Sequence, residues 1–310
     1  MSCPHRRISG RAYACGEMGD EFLTEVKQFV ADPAAGPRLN DLLNAEVARL
    51  IVALGADEFA LGAPISDEGV VGRLDRYAAL TGNLARAVAL GARWSGDLVR
   101  PIWPSLVERI VGGVDRIGGE TTWADLSQYP GALLLYAAGV GALAGDRYDN
   151  LRAILLEPRV LYHRERRMAI EVLNAEVVMD SAQAARVAGL PKTFAPMSDR
   201  LATDLRPLVA DVVPDDAQFA RLFDRFEYLL GLVYLDVTKT AWAPTGRYAA
   251  DQYGGVDQVV EAEIRADGAS WAPLAAGLFG GSLERLEEAL ERSRKVIEAA
   301  RREARFRRLG

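Results

Sequence analysis

The sequence is poor in the residue types on which many active sites depend. Its 310 residues include two cysteines, two histidines and four lysines. A disulfide framework is excluded, because both cysteines lie near the N-terminus and such a framework needs cysteines spread through the chain. A Ser-His-Asp or Cys-His arrangement would have to use one of two histidines that lie in no catalytic motif. The G-x-S-x-G, P-loop, H-E-x-x-H and kinase signatures are also absent from the sequence, so catalysis is left open but is not favoured.

Long hydrophobic runs and secretion signals are missing too. The longest nearly apolar run covers residues 131–145, which is shorter than the roughly 20 residues that a membrane-spanning helix needs. The first residues contain arginines but no apolar core of a signal peptide. We therefore expect a cytoplasmic protein without a membrane partner. The net charge of −6 argues against binding of nucleic acid by bulk charge.

Apolar residues recur at helical spacing along most of the chain, whereas strict alternation of apolar and polar residues is nearly absent. The clearest helical segments are 39–54, 66–90 and 216–233, and an alanine-rich helix is predicted over 166–188. Asn-Gly and Asp-Gly hairpin signals between β-branched runs are missing. The sequence therefore predicts an all-α fold, a multi-helix bundle or helical array without a significant sheet.

The distribution of proline and of helical periodicity suggests how the chain is divided. Residues 1–19 show no periodicity and are predicted to form a flexible arm. Residues 20–190 are predicted to form a helical domain. Four prolines make 191–215 a connection, because proline breaks long helices. Residues 216–310 form a second helical subdomain that ends in a long helix.

A glycine pattern resembling a dinucleotide-binding motif lies in the apolar run. Gly139 and Gly141 begin a G-x-G-x-x-A sequence, and Glu157 follows a run that could be a second strand. In that interpretation the glycines admit a pyrophosphate and Glu157 binds the ribose. However, the spacing is short, and residues 145–150 interrupt the helix that should join the two strands. We predict instead a buried helix over 131–143, with no bound dinucleotide and no cofactor.

All four cysteine and histidine residues could in principle form one zinc site. They are Cys3, His5, Cys15 and His163. Cys3 and His5 are closer together than zinc ligands usually are, and His163 lies in a basic stretch that is more typical of a solvated surface. No metal site is therefore favoured.

Two segments are candidates for interaction with a partner. The first is a loop that carries Trp242, Arg247 and Tyr248. Loops of this composition often recognise ligands, but the two aromatic residues could equally pin the loop to the bundle.

The second candidate is the C-terminal helix, in which acidic residues come first and basic residues last. Its apolar stripe contains Leu283, Leu286, Leu290 and Ile297. We expect 283–290 to dock on the body and 301–310 to project, so that deletion of 299–310 leaves the melting temperature nearly unchanged. The projecting residues available to a partner are then Arg301, Arg302 and Arg305. The alternative is a solvated terminal helix, because charge runs on helices are usually solvated faces.

Several stretches together resemble the helical regions of actinobacterial proteins. They are QYPGALLLY at 128–136, DRFEYLL at 224–230, WAPTGR at 242–247 and GLFGG at 277–281. The resemblance covers roughly residues 20–290. In those proteins the helical region follows a Schlafen-type, sirtuin-like or TIR-like effector domain. The resemblance implies a sensing or accessory role in defence or regulation, assigns no catalytic residue, and leaves open whether this chain stands alone or is a fragment of a longer protein.

The sequence therefore favours a non-catalytic helical interaction or sensor module. Its expected partner is a protein, or a second copy of the chain, bound through helical surfaces. Two alternatives stay open. One is an enzyme or nucleotide-binding protein whose site is assembled by folding. The other is contact with nucleic acid through 164–167 and the C-terminal arginines.

Overall fold

The computed structural model is an all-α helical array, as the sequence predicts. Helices account for about 75% of the residues that the structure describes. The structure describes residues 7–8, 11–12, 15–55, 58–97, 99–113, 120–162, 165–250 and 255–309. Strands in these ranges form only two small antiparallel hairpins. No helix among the described residues has both the length and the apolar character needed to cross a lipid bilayer.

The first half of the chain forms most of the long helices. Its elements are β1 (Arg7–Ile8), β2 (Arg11–Ala12), α1 (Cys15–Ala31), α2 (Gly36–Ala53), α3 (Asp67–Trp94), α4 (Ile102–Gly113), α5 (Thr121–Leu126), α6 (Tyr129–Ala144) and α7 (Tyr148–Leu156). A hairpin and three one-turn helices follow: β3 (Arg159–Tyr162), β4 (Glu165–Met168), α8 (Ala169–Val172), α9 (Ala175–Val178) and α10 (Ser181–Ala184). The remaining helices are α11 (Pro196–Leu208), α12 (Asp216–Thr238), α13 (Val256–Asp267), α14 (Ala272–Ala275) and α15 (Leu283–Leu309). Short 3₁₀ turns occur at Pro33–Ala35, Arg247–Ala250, Gly268–Ser270 and Leu278–Gly281.

Side-chain caps fix where two of the long helices begin. The hydroxyl of Ser66 accepts a hydrogen bond from the backbone N–H of Gly69 at 3.1 Å, which starts α3. The carboxylate of Asp215 accepts one from Gln218 at 2.6 Å, which starts α12. Such caps satisfy backbone donors that have no partner inside the helix. Both starts agree with the sequence prediction.

Helix α6 is buried on all sides, so the predicted buried helix is confirmed. Every residue from Tyr129 to Leu143 is buried, and α3, α4, α7 and α12 all pack on this helix. A Cβ at Gly139 would overlap the ring of Phe226, and one at Gly141 would overlap the backbone of Ala89. The two glycines therefore permit close helix packing inside one continuous helix. A dinucleotide motif instead needs them in a turn between a strand and a helix.

Glu157 is also not in the position that a ribose-binding residue needs, at the end of a second strand. It is exposed at the C-terminal end of α7. Its carboxylate lies 3.4 Å from the guanidinium of Arg152, a surface ion pair. No strand precedes Gly139 in the described part of the chain around it, so the two halves of the motif are not assembled.

The prediction of one alanine-rich helix over 166–188 is wrong. Strands β3 and β4 pair from Arg159 with Met168 to Tyr162 with Glu165, and three separate one-turn helices follow. The side chains of Asn174 and Asp180 explain the breaks. Each accepts a hydrogen bond from a backbone N–H three residues later, which starts a new helix.

The segment 191–215 is more than a connection, because it contains α11. Met197, Leu201 and Leu205 of this helix are fully buried. They belong to one apolar core that also includes residues of α1 and α15. Proline is tolerated at the start of α11, where its missing N–H has no intrahelical partner in any case. At the other end of the chain, α1 begins at Cys15, inside the segment 1–19 that was expected to be an arm.

Helix α15 is docked further along its length than the sequence suggests. Leu286 and Leu290 are buried as predicted, whereas Leu283, the first residue of the predicted stripe, is exposed. Ile297, Ala300 and Ala304 are buried too. The expectation that the helix projects from residue 301 is therefore wrong as far as Ala304. The physical reason is close packing, because small side chains let the helix approach the turn at Arg247–Ala250. Deletion of 299–310 removes part of this packed surface and should lower the melting temperature rather than leave it unchanged.

A pair of substitutions on the first turn of α15 tests the docking. Leu286 is 0% exposed and Leu283 is 36% exposed. We expect Leu286→Asp to lower the free energy of unfolding by about 3 kcal/mol or more, because it places an unpaired charge in the core. Leu283→Asp is the matched control and should change it by less than about 1 kcal/mol. Thermal melts followed by circular dichroism measure both, and equal effects would contradict the docked arrangement.

Candidate functional site

The structure brings the two interaction segments that the sequence indicates into contact with each other. Trp242, Arg247 and Tyr248 lie in the stretch 239–250, which we call the Trp242 loop. The turn at its end, Arg247–Ala250, packs against α15, whose last turns carry the three candidate arginines. One region of the molecule therefore contains all the predicted interaction residues.

The residues considered for a metal site are not brought together in the described structure. Cys3, His5 and His163 lie outside the described residues, and Cys15 is described only as the first residue of α1. Among the described residues no group of three or more histidine, cysteine, aspartate or glutamate side chains is arranged to hold a metal ion.

The buried carboxyl group of Glu227 anchors the Trp242 loop to the core. Glu227 of α12 is 3% exposed. Its Oε2 accepts a hydrogen bond from the Ser198 hydroxyl of α11 at 2.8 Å, and its Oε1 accepts one from the Tyr136 hydroxyl of α6 at 3.3 Å. The Ser198 Oγ in turn accepts the backbone N–H of Arg247 at 3.0 Å. This chain of hydrogen bonds ties the loop to two helices of the core.

The side chains of Arg247 and Tyr248 provide further anchors. The Arg247 Nε donates to the Asp224 carboxylate at 2.7 Å, and its guanidinium lies 4.9 Å from the centre of the Phe223 ring. Tyr248 is buried and meets the ring of Tyr228 edge to face, with centroids 5.8 Å apart. Of the two interpretations of this loop, the structural one therefore fits Arg247 and Tyr248.

Trp242 is arranged differently, because its side chain is 45% exposed. The ring meets Tyr234 edge to face at 5.5 Å, and the backbone carbonyl of Trp242 accepts a hydrogen bond from the Thr240 hydroxyl at 2.8 Å. The indole is thus held in place while much of its surface faces solvent. The Trp242 loop therefore presents a large apolar side chain to solvent.

Burial governs the protonation of Glu227. Loss of hydration raises its pKa to about 8, since the charged form is disfavoured in the interior. This value is the net result of several effects, because the neighbouring Asp224 also raises the pKa, whereas the hydrogen bonds from Ser198 and Tyr136 and the charge of Arg247 lower it. The carboxyl is covered by Gly246, where a Cβ would overlap the Glu227 carboxyl oxygens. These contacts favour a structural role for Glu227 over catalysis on a molecule in solution.

Two adjoining grooves open beside the Trp242 loop and α15, and they share Phe194. The first, which we call the lysine groove, has a volume of about 610 Å³. Its lining residues are Ala185, Lys192, Thr193, Phe194, Ala195, Asp199, Arg247, Ala250 and Ala304. The Lys192 ammonium donates to the carbonyls of Ala185 and Val187 at 2.8 and 2.7 Å.

The second groove, which we call the tryptophan groove, has a volume of about 350 Å³. Its lining residues are Glu176, Asp180, Ser181, Ala182, Phe194, Ala241, Trp242, Ala243, Thr245, Val296, Ala299, Ala300 and Glu303. Small side chains of α15 form one wall, and the exposed indole lies in another. Glu227 and Tyr248, whose pKa values are raised by burial, do not line this groove.

The candidate arginines of α15 line a third groove of about 330 Å³, together with Asp257, Arg294, Ile297 and Glu298. Arg301 lies 3.0 Å from the Asp257 carboxylate and is largely buried. Arg302 is exposed and lies 4.0 Å from Glu298. Arg305 is exposed. The expectation that Arg301 is available to a partner is therefore wrong, since it holds α15 against α13.

Sequence reasoning missed three residues of the site: Glu227, Ser198 and Phe194. A signal for Glu227 was present, since it lies four residues after Phe223 and three before Leu230, on the apolar face of α12. A carboxylate at such a position needs buried hydrogen-bond donors. Ser198 and Phe194 carry no comparable signal, because their role depends on how α11 is placed.

Replacing Gly246 tests the contact between the Trp242 loop and Glu227. We expect Gly246→Ala to lower the free energy of unfolding by about 1–3 kcal/mol, because the added methyl group overlaps a carboxyl that has no room to move. The control is Gly72→Ala in α3, where the Cβ meets nothing within 4 Å. That change should stabilise the helix by up to about 1 kcal/mol. Denaturant unfolding measures both, and a neutral Gly246→Ala would contradict the close contact.

The protonation of Glu227 predicts a pH dependence of stability. Its pKa in the folded state, about 8, lies above the ordinary value of 4.5. The folded protein therefore holds a proton that the unfolded chain releases, so stability is full below the ordinary pKa and falls as pH rises towards 8. The slope is at most about 1.4 kcal/mol per pH unit.

The variant Glu227→Gln removes this titration. Its stability relative to the wild type should increase steadily between about pH 5 and pH 8. Glu263→Gln is the control, because the hydrogen bond from Arg225 lowers the pKa of Glu263 and leaves it charged across this range. Melting temperatures measured as a function of pH test this prediction. Parallel curves for the wild type and Glu227→Gln would disprove the raised pKa of Glu227.

No family model, curated protein or solved structure matches the chain in comparisons with known proteins. Any proposal about its role therefore depends on the geometry of its own grooves and on the sequence resemblance described above.

Proposed function

We propose that this protein is a non-catalytic helical interaction or sensor module. In this proposal a segment of a protein partner binds in the lysine and tryptophan grooves, beside the C-terminal turns of α15. The observation that carries the proposal is the exposed indole of Trp242, which is held in place by Tyr234 and lies in a groove large enough for side chains.

The distribution of polar groups supports a binding role. Glu227, Asp224 and Arg247 are engaged with one another and with Ser198, and these contacts fasten the loop. The two grooves beside these contacts are lined by aromatic and aliphatic side chains together with polar and charged ones. Tryptophan is among the residues that contribute most to binding energy at protein interfaces.

The other two hypotheses receive less support from the geometry. A dinucleotide at Gly139 and Gly141 would require opening the packed core around α6. Contact with nucleic acid through α15 would rely on arginines of which Arg294, Arg301 and Arg302 already lie near carboxylates. Such pairing reduces the positive charge that could meet phosphate groups.

A role within a bacterial defence or regulatory system is part of the same proposal. It follows from the resemblance to helical regions that accompany effector domains in actinobacterial proteins. In such a system the module would recognise a protein signal and would itself do no chemistry.

Selection from a displayed library of random peptides tests the proposal without knowledge of the partner. We expect the protein to enrich a common peptide motif whose binding is lost in Trp242→Ala. The matched control is Trp94→Ala, because Trp94 is similarly exposed, at 50%, but lies at the end of α3. Fluorescence anisotropy with the enriched peptides measures binding, and thermal melts confirm that both variants are folded.

Other outcomes of this experiment would contradict the proposal. Enrichment of no motif, or of peptides that bind Trp242→Ala as well as the wild type, would refute the assignment of the tryptophan groove. Loss of binding in Trp94→Ala alone would place the interaction at another surface.

A further inference from the structure

The tryptophan groove combines an exposed aromatic face with negative charge. Glu176, Asp180 and Glu303 line it together with Trp242. Among the described residues that line this groove there is no lysine or arginine. We infer that the part of the partner segment that enters this groove is basic and inserts an arginine or lysine side chain over Trp242, an inference that rests on the proposed binding function and names its partner chemistry.

The indole is suited to a cation because it is fixed before binding. The ring of Tyr234 packs nearly perpendicular to the indole, with centroids 5.5 Å apart, and the Thr240 hydroxyl donates a hydrogen bond to the backbone carbonyl of Trp242 at 2.8 Å. A guanidinium or ammonium group over the face of tryptophan is attracted by the negative face of the ring system. Little side-chain freedom is lost on binding, since the ring is already ordered.

Two of the three carboxylates, those of Glu176 and Asp180, are fixed as well, by hydrogen bonds from the start of α10. Both oxygens of Glu176 accept from Ser181, from its N–H at 2.9 Å and its hydroxyl at 2.7 Å. Asp180 accepts the Gln183 N–H at 2.9 Å and is otherwise exposed. Glu303 is exposed on α15. The charges of Glu176 and Asp180 are therefore held close to the groove.

Charge complementarity selects between possible occupants. An acidic segment would be repelled by these carboxylates, and a purely apolar one would cover them without replacing their lost hydration. A basic side chain compensates the charge and can lay its aliphatic stem along the wall formed by Val296, Ala299 and Ala300. Trp242, the acidic rim and the small-residue wall thus all fit one kind of side chain.

Three peptides of equal length test the inference directly. They are labelled with fluorescein, share the same leucine positions, and carry arginine, glutamine or glutamate at the positions between. We expect the arginine peptide to bind about tenfold more tightly than the glutamine peptide, and the glutamate peptide to bind more weakly still. Added salt should reduce the preference for arginine.

Two charge-reversal variants on the same helix separate a local effect from bulk charge. Glu303→Lys changes the groove, whereas Glu287→Lys makes the same change at an exposed position of α15 outside it. The arginine preference should disappear in Glu303→Lys and in Trp242→Ala and should persist in Glu287→Lys. Thermal melts again check that the variants are folded.

The outcomes distinguish this inference from the proposed function. Equal binding of the arginine and glutamine peptides, lost in Trp242→Ala, would overturn the basic partner but keep the binding groove. Equal loss in Glu303→Lys and Glu287→Lys would show bulk attraction and overturn the inference. Sedimentation of the wild type as a dimer that Glu303→Lys dissociates would assign the groove to a second copy of the chain instead. If none of the peptides binds and library selection also fails, the proposed function itself is wrong.

Discussion

The close packing of α3 and α12 against α6 is the contact on which the rest of the structure depends. A helix without a polar face has to be covered in every direction, and its neighbours approach closely only where side chains are absent. At Gly141 the backbone of Ala89 occupies the space that a Cβ would need, and at Gly139 the ring of Phe226 does. The first contact fixes how α3 lies on α6, and the second fixes how α12 lies on it. Since α12 carries Glu227 and leads directly into the Trp242 loop, the position of the surface grooves follows from the packing of the interior.

Between the core and the grooves lies a small set of buried polar contacts. Glu227 joins α6, through Tyr136, to α11, through Ser198, and Ser198 receives the backbone of Arg247. A buried carboxyl without partners would be costly, so the two helices and the loop are held in one relative arrangement in which its oxygens are satisfied. The carboxyl is a neutral acid at low pH and gains charge only near pH 8. This network therefore holds the Arg247 end of the Trp242 loop against the core, and its contribution to stability falls as the pH rises towards 8.

The fold could be predicted from the sequence where one helix carries its own signals. The caps at Ser66 and Asp215 and the uninterrupted apolar run of α6 are local features, and all three predictions are confirmed. The hairpin β3–β4 was not predicted because its strands pair without an Asn-Gly or Asp-Gly turn. The three short helices after it were predicted as one helix, because the high alanine content was given more weight than the capping residues Asn174 and Asp180. The side chain of each of these two residues accepts a hydrogen bond from a nearby backbone N–H and so starts a new helix.

The site could be predicted only in part, because its residues acquire their roles from distant elements. The sequence identified Trp242, Arg247 and Tyr248, but whether each faces solvent or the core depends on helices far along the chain. Arg301 shows the same limit, since its partner Asp257 lies 44 residues away. The sequence prediction also gave too little weight to small residues in the docking of α15. Ala300 and Ala304 bury little area, yet their size lets α15 pack beside the Trp242 loop, and the grooves lie along this contact. The shape of such a surface depends on positions where small side chains let two elements pack closely. These positions can be recognised in a sequence only after the packing of the elements is known.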